Sequence, residues 1–543
     1  MTHRWCYILF DALEFPIRCA PRLFGLNAMD RCFDSTMGEL IATALGRHPG
    51  RCAFLNPDGR EVSYRRVAQE IVHVQGWLLA RGIGSGESVA QLCANRSEVF
   101  SVMGACYVGG WRSVALSPTT SVDDLAYILG HAEARVLVTD RKHLERARQA
   151  AAACGRELLL VCHDNEPRLL HLWAGLAEDA PARVVNHAAA DDIVRLIYTG
   201  GTTGRPKGVM GSNGSLALNA MLRMAGHNWS HMRLLCSTPL SHAAGAMIVP
   251  VLWHGGTLVM QDGFDPLRLI EQLLRGQADA IYVVPTMLYR LLDHPRVGEI
   301  AGSLRMIMYG AAPASPARLR EARERFGAIL TQHYGLTEAP STILNLNETD
   351  HEDDTLLASA GRPYPGIAVQ LLDPQGRPVA HGEVGEICVR GPLLMSGYWK
   401  DPELTQRAFV DGWLRSGDLA YQDGRGYYYI VDRAKDMIVS GGFNVYPKEV
   451  EDVIAQHPAV AAVGVIGVPD PLWGEAVKAV VVCRAGQAVE PRALIELVRA
   501  RKGPVLAPKS VDFVAELPHT GLGKIDKKAL RARYWTDASR SVN

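Results

Sequence analysis

The chain has 543 residues, 48% hydrophobic and 21% charged, with 57 basic and 57 acidic side chains that leave no formal net charge. That profile describes an enzyme-sized globular protein with two or more domains and ample core. With no net charge and no block of like charge, a nucleic-acid partner held by phosphate neutralisation is not expected.

The eleven cysteines, at 6, 19, 32, 52, 93, 106, 154, 162, 236, 388 and 483, are scattered and never form a C-x-x-C pair. Such spacing supplies neither a zinc site nor a disulfide framework, so free thiols in a reducing cytoplasm are expected. The first 33 residues read as an N-terminal extension. Asp11 and Glu14 break its short apolar run, so a signal peptide is not expected, and Met29 or Met37 is an alternative start. No stretch approaches the roughly 20 uninterrupted apolar residues of a membrane span.

Ordinary helical patterning begins at "STMGELIATALGRHP", residues 35–49, and continues in "SYRRVAQEIVHVQGWLLARG", residues 63–82. Short apolar runs alternate with such helices: "SVALS" at 113–117, "ARVLVTD" at 134–140, "ADAIYVVP" at 278–285 and "LRMIMYG" at 304–310. Strands interleaved with helices predict parallel sheets covered by helices. After about Pro363, Asp-Pro and Gly turns in "VQLLDPQGRPVAHGEVGEICVRG" predict hairpins and antiparallel sheet. Beyond "YYYIVDRAKDMIVSGG" the texture becomes that of a compact α+β unit. The expected division is an extension over 1–33, a large domain over 34–432, a hinge at 433–435 and a small domain over 436–543.

Between the early strands and the later ones lies "LIYTGGTTGRPKGVM", residues 196–210. It is not a Walker A loop, because Arg205 and Pro206 separate Gly204 from Lys207 and no Ser or Thr follows the lysine. It is not a dinucleotide fingerprint either, since "KGVM" reads as strand and the next helix starts near Ser212 or Asn213. Taken alone the stretch could be a glycine-rich hairpin turn. Its chemistry nonetheless suits phosphate: glycines let backbone N–H groups approach an anion, Thr199, Thr202 and Thr203 add hydroxyl donors, and Lys207 brings a mobile positive charge.

"YTGGTTGRPKG" resembles the phosphate-loop signature of the adenylate-forming, AMP-binding superfamily, most closely its acyl-CoA synthetases. Further motifs follow in that family's order. "HYGLTE", residues 333–338, is similar to the adenylate motif; "WLRSGDLAYQDGRGYYYIVDRAKDMIVSGGFNVYPKEVE", residues 413–451, to its longest signature; and "LPHTGLGKIDKKALR", residues 517–531, to its C-terminal motif. "PLSHAAG" at 239–245 and "YGAAP" at 309–313 resemble segments around the acyl pocket. The likeness spans about residues 34–535.

The resemblance implies a fold and a chemistry. The fold is α/β: a large N-terminal domain of parallel βαβ subdomains plus a distorted β-barrel, with a small mobile α+β C-terminal domain. The activity is that of an ATP-dependent acid–CoA ligase that activates a fatty, aryl or alicyclic carboxylic acid as acyl-AMP, with Mg2+, and passes it to CoA. A stand-alone enzyme loading a carrier-protein phosphopantetheine is the alternative, and a catalytically silent nucleotide-binding relative a third. By the same likeness, Thr199, Gly200, Gly201, Thr202, Thr203, Gly204 and Lys207 would hold the nucleotide phosphates. Gly310, Ala311, Ala312, Tyr334 and Gly335 would border the adenine, with Thr337 on the α-phosphate and Glu338 on Mg2+. Asp418 and Arg433 would bind the ribose. His242, Gly245 and Gly310 would border the acyl pocket, and Gly441, Gly442 and Trp473 the CoA tunnel. Lys435 falls at the hinge, and Lys524 joins Glu338 and Thr199 as a catalytic group. The oligomeric state is not legible; a homodimer is compatible with the likeness.

The chain departs from the family pattern at Gly200, where Ser is frequent, at Val505 and Leu506, where Tyr-Lys is, and at His519, where Arg is. The small residues Ala243, Ala244, Gly245, Ala311 and Ala312 predict a pocket larger than acetate needs. The lack of an Asp in "PLSHAAG" or "YGAAP" disfavours an amino-acid substrate.

Overall fold

Helix starts in this chain are chemically marked. Thr36 Oγ1 accepts from the backbone N–H of Glu39 at 3.0 Å, and the Glu39 carboxylate accepts from the Thr36 N–H at 3.0 Å, a reciprocal cap that opens the helix Met37–Arg47. Ser63 caps the helix Tyr64–Leu79 and Ser212 caps Asn213–Gly226 in the simpler way, through the hydroxyl alone. Proline occupies the first turn of Pro266–Leu274, Pro285–Leu292, Pro316–Phe326 and Pro491–Lys502, where its missing N–H costs nothing.

The computed structural model describes residues 35–199, 205–241, 243–433, 436–440, 443–471, 473–519 and 525–535. These residues build four sheets. In the first, six strands run parallel, from Ile193–Thr199 at one side to Leu170–His171 at the far edge, while Lys207–Ser212 pairs antiparallel with Ile193–Thr199 and Gly397–Tyr398 pairs antiparallel with Lys207–Ser212 at the other edge. The second has nine strands, with a parallel centre that contains Arg233–Cys236, Ala280–Val283, Met306–Gly310 and Leu330–Tyr334. Strands Ser88–Leu92, Ala280–Val283 and Met306–Gly310 are buried at every position, as parallel strands covered on both faces must be.

The third sheet is antiparallel and curled, built from Ala368–Leu372, Gly385–Arg390, Phe409–Val410, Trp413–Gln422 and Tyr428–Arg433. The fourth uses Ile438–Ser440, Phe443–Val445, Val460–Asp470, Gly474–Cys483 and Ser510–Phe513, and packs the helices Pro447–Ile454 and Pro491–Lys502 in a core of its own. The last two sheets meet at Asp432, whose carboxylate accepts from the Lys448 N–H at 3.1 Å. Arg484 of the fourth sheet's unit also pairs with Asp293 at 3.1 Å.

The cysteines among the described residues are all free thiols, and no helix there is long and apolar enough to cross a membrane. Replacing Thr36 with Ala removes one half of the reciprocal cap. It is expected to lower stability by about 1 kcal/mol, read as a lower urea midpoint with an unchanged slope.

Candidate active site

A parallel sheet delivers the residues that follow its strands to one edge, where ligands bind in open α/β folds. In the first sheet Ile193–Thr199 ends at Thr199, and the chain returns antiparallel with Lys207 opposite Thr199. The two strands pair antiparallel, and Thr199 and Lys207 at their ends line a cleft. In the second sheet the neighbouring strands Met306–Gly310 and Leu330–Tyr334 release Ala311 and the Gly335–Glu338 turn at the same cleft. The third sheet contributes Ser416, Gly417 and Arg433 to its wall. The cleft encloses about 1260 Å3.

At its centre Lys207 Nζ donates to the Tyr398 hydroxyl at 2.6 Å, and that hydroxyl donates to Glu338 Oε1 at 2.8 Å. Lys207 and Glu338 also form an ion pair at 3.2 Å. Burial, reinforced by the Glu338 charge, pushes the Tyr398 phenol far above its ordinary value, so it stays a protonated donor. Glu338 and Lys207 are only partly buried, which leaves both open to a ligand. Thr199 Oγ1 is buried and has no hydrogen-bond partner among the described residues. A donor in that state is poised for an incoming acceptor.

A second polar cluster joins the second and third sheets. The Tyr334 hydroxyl donates to Asp418 Oδ2 at 2.7 Å, and Arg433 Nε pairs with Asp418 Oδ1 at 3.3 Å across the hairpin that sets the two residues opposite one another. Burial raises the Tyr334 phenol as well, with the Asp418 charge adding to the shift.

Contact demands glycine at Gly310 and Gly335. A Cβ on Gly310 would stand 2.3 Å from the His333 carbonyl oxygen, and one on Gly335 would stand 2.2 Å from the Ser341 nitrogen. Ala311 adopts φ 67° and Ser341 φ 47°, left-handed conformations that fold the two turns tightly against the cleft.

Thr199, Lys207, Ala311, Gly335, Thr337, Glu338 and Arg433 line the cleft. Tyr334 and Asp418 stand behind Arg433. Gly310 and Ala312 flank Ala311, and Gly245 precedes the lining residue Ala246. Trp473 is 40% exposed, with the Lys509 ammonium 5.1 Å from its ring centroid, so it is not a core tryptophan. Gly200, Gly201, Thr202, Thr203, Gly204, His242, Lys435, Gly441, Gly442 and Lys524 lie outside the described residues. Tyr398 is the residue that sequence reasoning missed. Its strand of two residues, Gly397–Tyr398, meets Lys207–Ser212 only in three dimensions, and "SGYWKD" carries no spacing signal that points to it.

The sequence model for the AMP-binding enzyme family matches residues 41–399, and that for the AMP-binding enzyme C-terminal domain matches residues 449–524. The chain is 43% identical to the medium/long-chain-fatty-acid–CoA ligase FadD8 of Mycobacterium tuberculosis over 523 residues, covering 93% of this chain and 91% of that one. It is 37% identical to the feruloyl-CoA synthase of an Amycolatopsis species, covering 90% of this chain and 99% of the relative. Among solved structures, the amide bond synthetase McbA from Marinactinospora thermotolerans superposes with a TM-score of 0.85 at 33% identity, over 92% of this chain and 99% of that one.

Substituting Gly310 with Ala forces a methyl group into the His333 carbonyl of the adjoining strand. A loss of about 1–3 kcal/mol is expected, together with weaker nucleotide binding, measured by denaturant titration and by calorimetry with ATP.

Proposed function

The chain belongs to the AMP-binding enzyme family, and on that premise we propose that it is an ATP-dependent acid–CoA ligase of the acyl-CoA synthetase class. The observation that carries this reading is the meeting of Lys207, Glu338 and the unpartnered Thr199 hydroxyl at one cleft, beside the Asp418–Arg433 pair. A cation and hydroxyl donors suit phosphates, and a buried carboxylate suits ribose hydroxyls.

A carboxylate is a poor acyl donor because oxide would have to leave. In the first half-reaction the substrate carboxylate attacks the α-phosphorus of ATP, and pyrophosphate departs. In the second the CoA thiolate attacks the acyl carbon, and AMP departs with the electron pair of the acyl–oxygen bond. Lys207 and Thr199 hold the outer phosphates, Thr337 the α-phosphate, and Asp418 the ribose. Tyr398 positions Lys207 against Glu338. Preorganised donors of this kind stabilise charge that develops in transfer.

Glu338 fits Mg2+, which is usually held by one or two carboxylates together with substrate phosphates; bound there, the ion neutralises phosphate charge. Among the described residues no cluster of three or more His, Cys, Asp or Glu forms a dedicated metal cage, which agrees with a metal carried in on the nucleotide. Lys524 completes the adenylation site, and rotation at Lys435 exchanges it for the thiol path along Gly441 and Gly442. His242 borders the acyl group. Residues 34–432 and 436–543 act as the two moving bodies. The protein works in the cytoplasm.

The test is acid-dependent AMP release followed with and without CoA. Stoichiometric AMP and acyl-CoA support the ligase. Pyrophosphate release that CoA leaves unaltered would point to another acceptor, a carrier-protein phosphopantetheine being the first to try. Lys524→Ala is expected to slow pyrophosphate release by at least about 100-fold while sparing thioester formation from supplied acyl-AMP. Equal loss in both halves would contradict the division of labour. Tyr398→Phe, which removes the two charge-assisted hydrogen bonds to Lys207 and Glu338, is expected to lower kcat/KM for ATP by about 10–100-fold with little change in Tm.

A further inference from the structure

The strand Tyr428–Arg433 of the third sheet ends at Arg433, which lines the cleft, while the residue before it meets the fourth sheet's unit. Asp432 is 8% exposed. Its Oδ1 accepts from the Arg433 N–H at 2.7 Å, and its Oδ2 from the N–H of Lys448, in the first turn of Pro447–Ile454, at 3.1 Å. The chain then turns, with the Asp436 N–H donating to the Arg433 carbonyl at 2.9 Å. Asp432 and Asp436, the acidic residues on either side of that turn, both meet the last described helix.

That helix is Lys527–Ala532, and it belongs to the fourth sheet's unit. Asp526 caps it through the Ala529 N–H at 3.0 Å, and Leu530 is buried with Ile466, Val480 and Leu517. Lys527 and Arg531 stand four residues apart, on one face. Arg531 Nη2 pairs with Asp436 Oδ1 at 2.7 Å. Lys527, its side chain 18% exposed, pairs with Glu451 Oε1 at 2.9 Å and with Asp432 Oδ2 at 3.9 Å. Glu451 is held in turn, accepting from the Val465 N–H at 2.8 Å. The ammonium is thus fixed by a carboxylate of its own unit and directed at one of the third sheet. Burial works against its charge, but the Glu451 and Asp432 carboxylates outweigh it and raise Lys527 above its ordinary value, so it stays protonated.

No described residue of 436–543 lines the cleft. Phe443, in the strand Phe443–Val445 that follows Gly441 and Gly442 in the chain, is 57% exposed. This orientation therefore keeps the strand beside the proposed thiol path in solvent, and what it fixes is Lys527, three residues after Lys524, against the residue before Arg433. We propose that Lys527 and Asp432 form a strap that holds the fourth sheet's unit in its orientation for adenylation and opens when the unit turns for the thiol half-reaction. Both are positioning residues, since neither lines the cleft. A pair between two bodies stabilises one of their orientations only, so its removal shifts a population and leaves each body folded. The proposal rests on the ligase reading, which supplies the two half-reactions.

The experiment measures those half-reactions separately in the full-length protein. One is acid-dependent exchange of labelled pyrophosphate into ATP without CoA; the other is acyl-CoA formation from the synthetic AMP ester of the acid that exchanges best. Asp432→Asn removes the charge but keeps an acceptor for the Arg433 and Lys448 N–H groups, and Lys527→Met keeps the aliphatic stem. Each is expected to slow exchange by about tenfold while acyl-CoA formation from the AMP ester is unchanged or faster. The double variant is expected to be no slower than Lys527→Met alone, because the same pair is lost in both, and Lys527→Arg to retain most of the exchange. Asp432→Asn and Lys527→Arg keep the test open if Lys527→Met does not fold. Equal slowing of both half-reactions would mark a pair that only stabilises the fold and would overturn the proposal, as would exchange unaltered in Asp432→Asn. If the wild-type protein gave no exchange with any acid, the ligase reading itself would fall, whatever the variants do.

Discussion

The ion pair between Lys207 and Glu338 joins two sheets that share no strand. Lys207 opens an antiparallel strand of the first sheet, and Glu338 closes the turn after a parallel strand of the second. Tyr398 bridges them from the edge of the first sheet, and the Glu338 carbonyl accepts from the Met395 N–H at 2.8 Å, so the turn is held from both sides. Partial burial lowers the dielectric around this pair and strengthens it, while the open side of the cleft keeps both charges within reach of solvent or ligand. A pair fully sealed from solvent would stabilise the fold and hold nothing else.

The Asp418 cluster performs the same service between the second and third sheets. Tyr334 comes from the second, Asp418 and Arg433 from the third, and the hairpin register that sets Asp418 opposite Arg433 is fixed by backbone pairing before any ligand arrives. Three sheets therefore meet at two polar clusters, Lys207–Tyr398–Glu338 and Tyr334–Asp418–Arg433. The fourth sheet's unit joins them through Asp432, which accepts from the Lys448 N–H and pairs with Lys527 at 3.9 Å, and through the Arg484–Asp293 pair.

Much of this was legible in the sequence because its chemistry is local. The strand "LRMIMYG" is apolar along its whole length, as a strand covered on both faces must be, and it forms Met306–Gly310. Ser212 marks the start of its helix by capping it. Thr199, Lys207, Thr337 and Glu338 sit in short stretches whose donors and acceptors can be read side by side. Tyr398 could not be read, since its partners lie 60 and 191 residues away in sequence. The polar part of the lining escaped for the same reason: Ser237 and Thr238 lie far from His333 in the chain, and the small residues of "PLSHAAG" and "YGAAP" speak only to the room they leave. Ala246 and Ala311 do line the cleft, but so do Ser237, Thr238 and His333.

The central claim is that this cleft makes an acyl-adenylate from ATP and a carboxylic acid before any thiol takes part. Exchange of labelled pyrophosphate into ATP, run without CoA and with each acid in turn, tests that step alone. Acid-dependent exchange that Lys207→Ala reduces is the expected result. Exchange absent with every acid, in protein that still binds ATP, would contradict it.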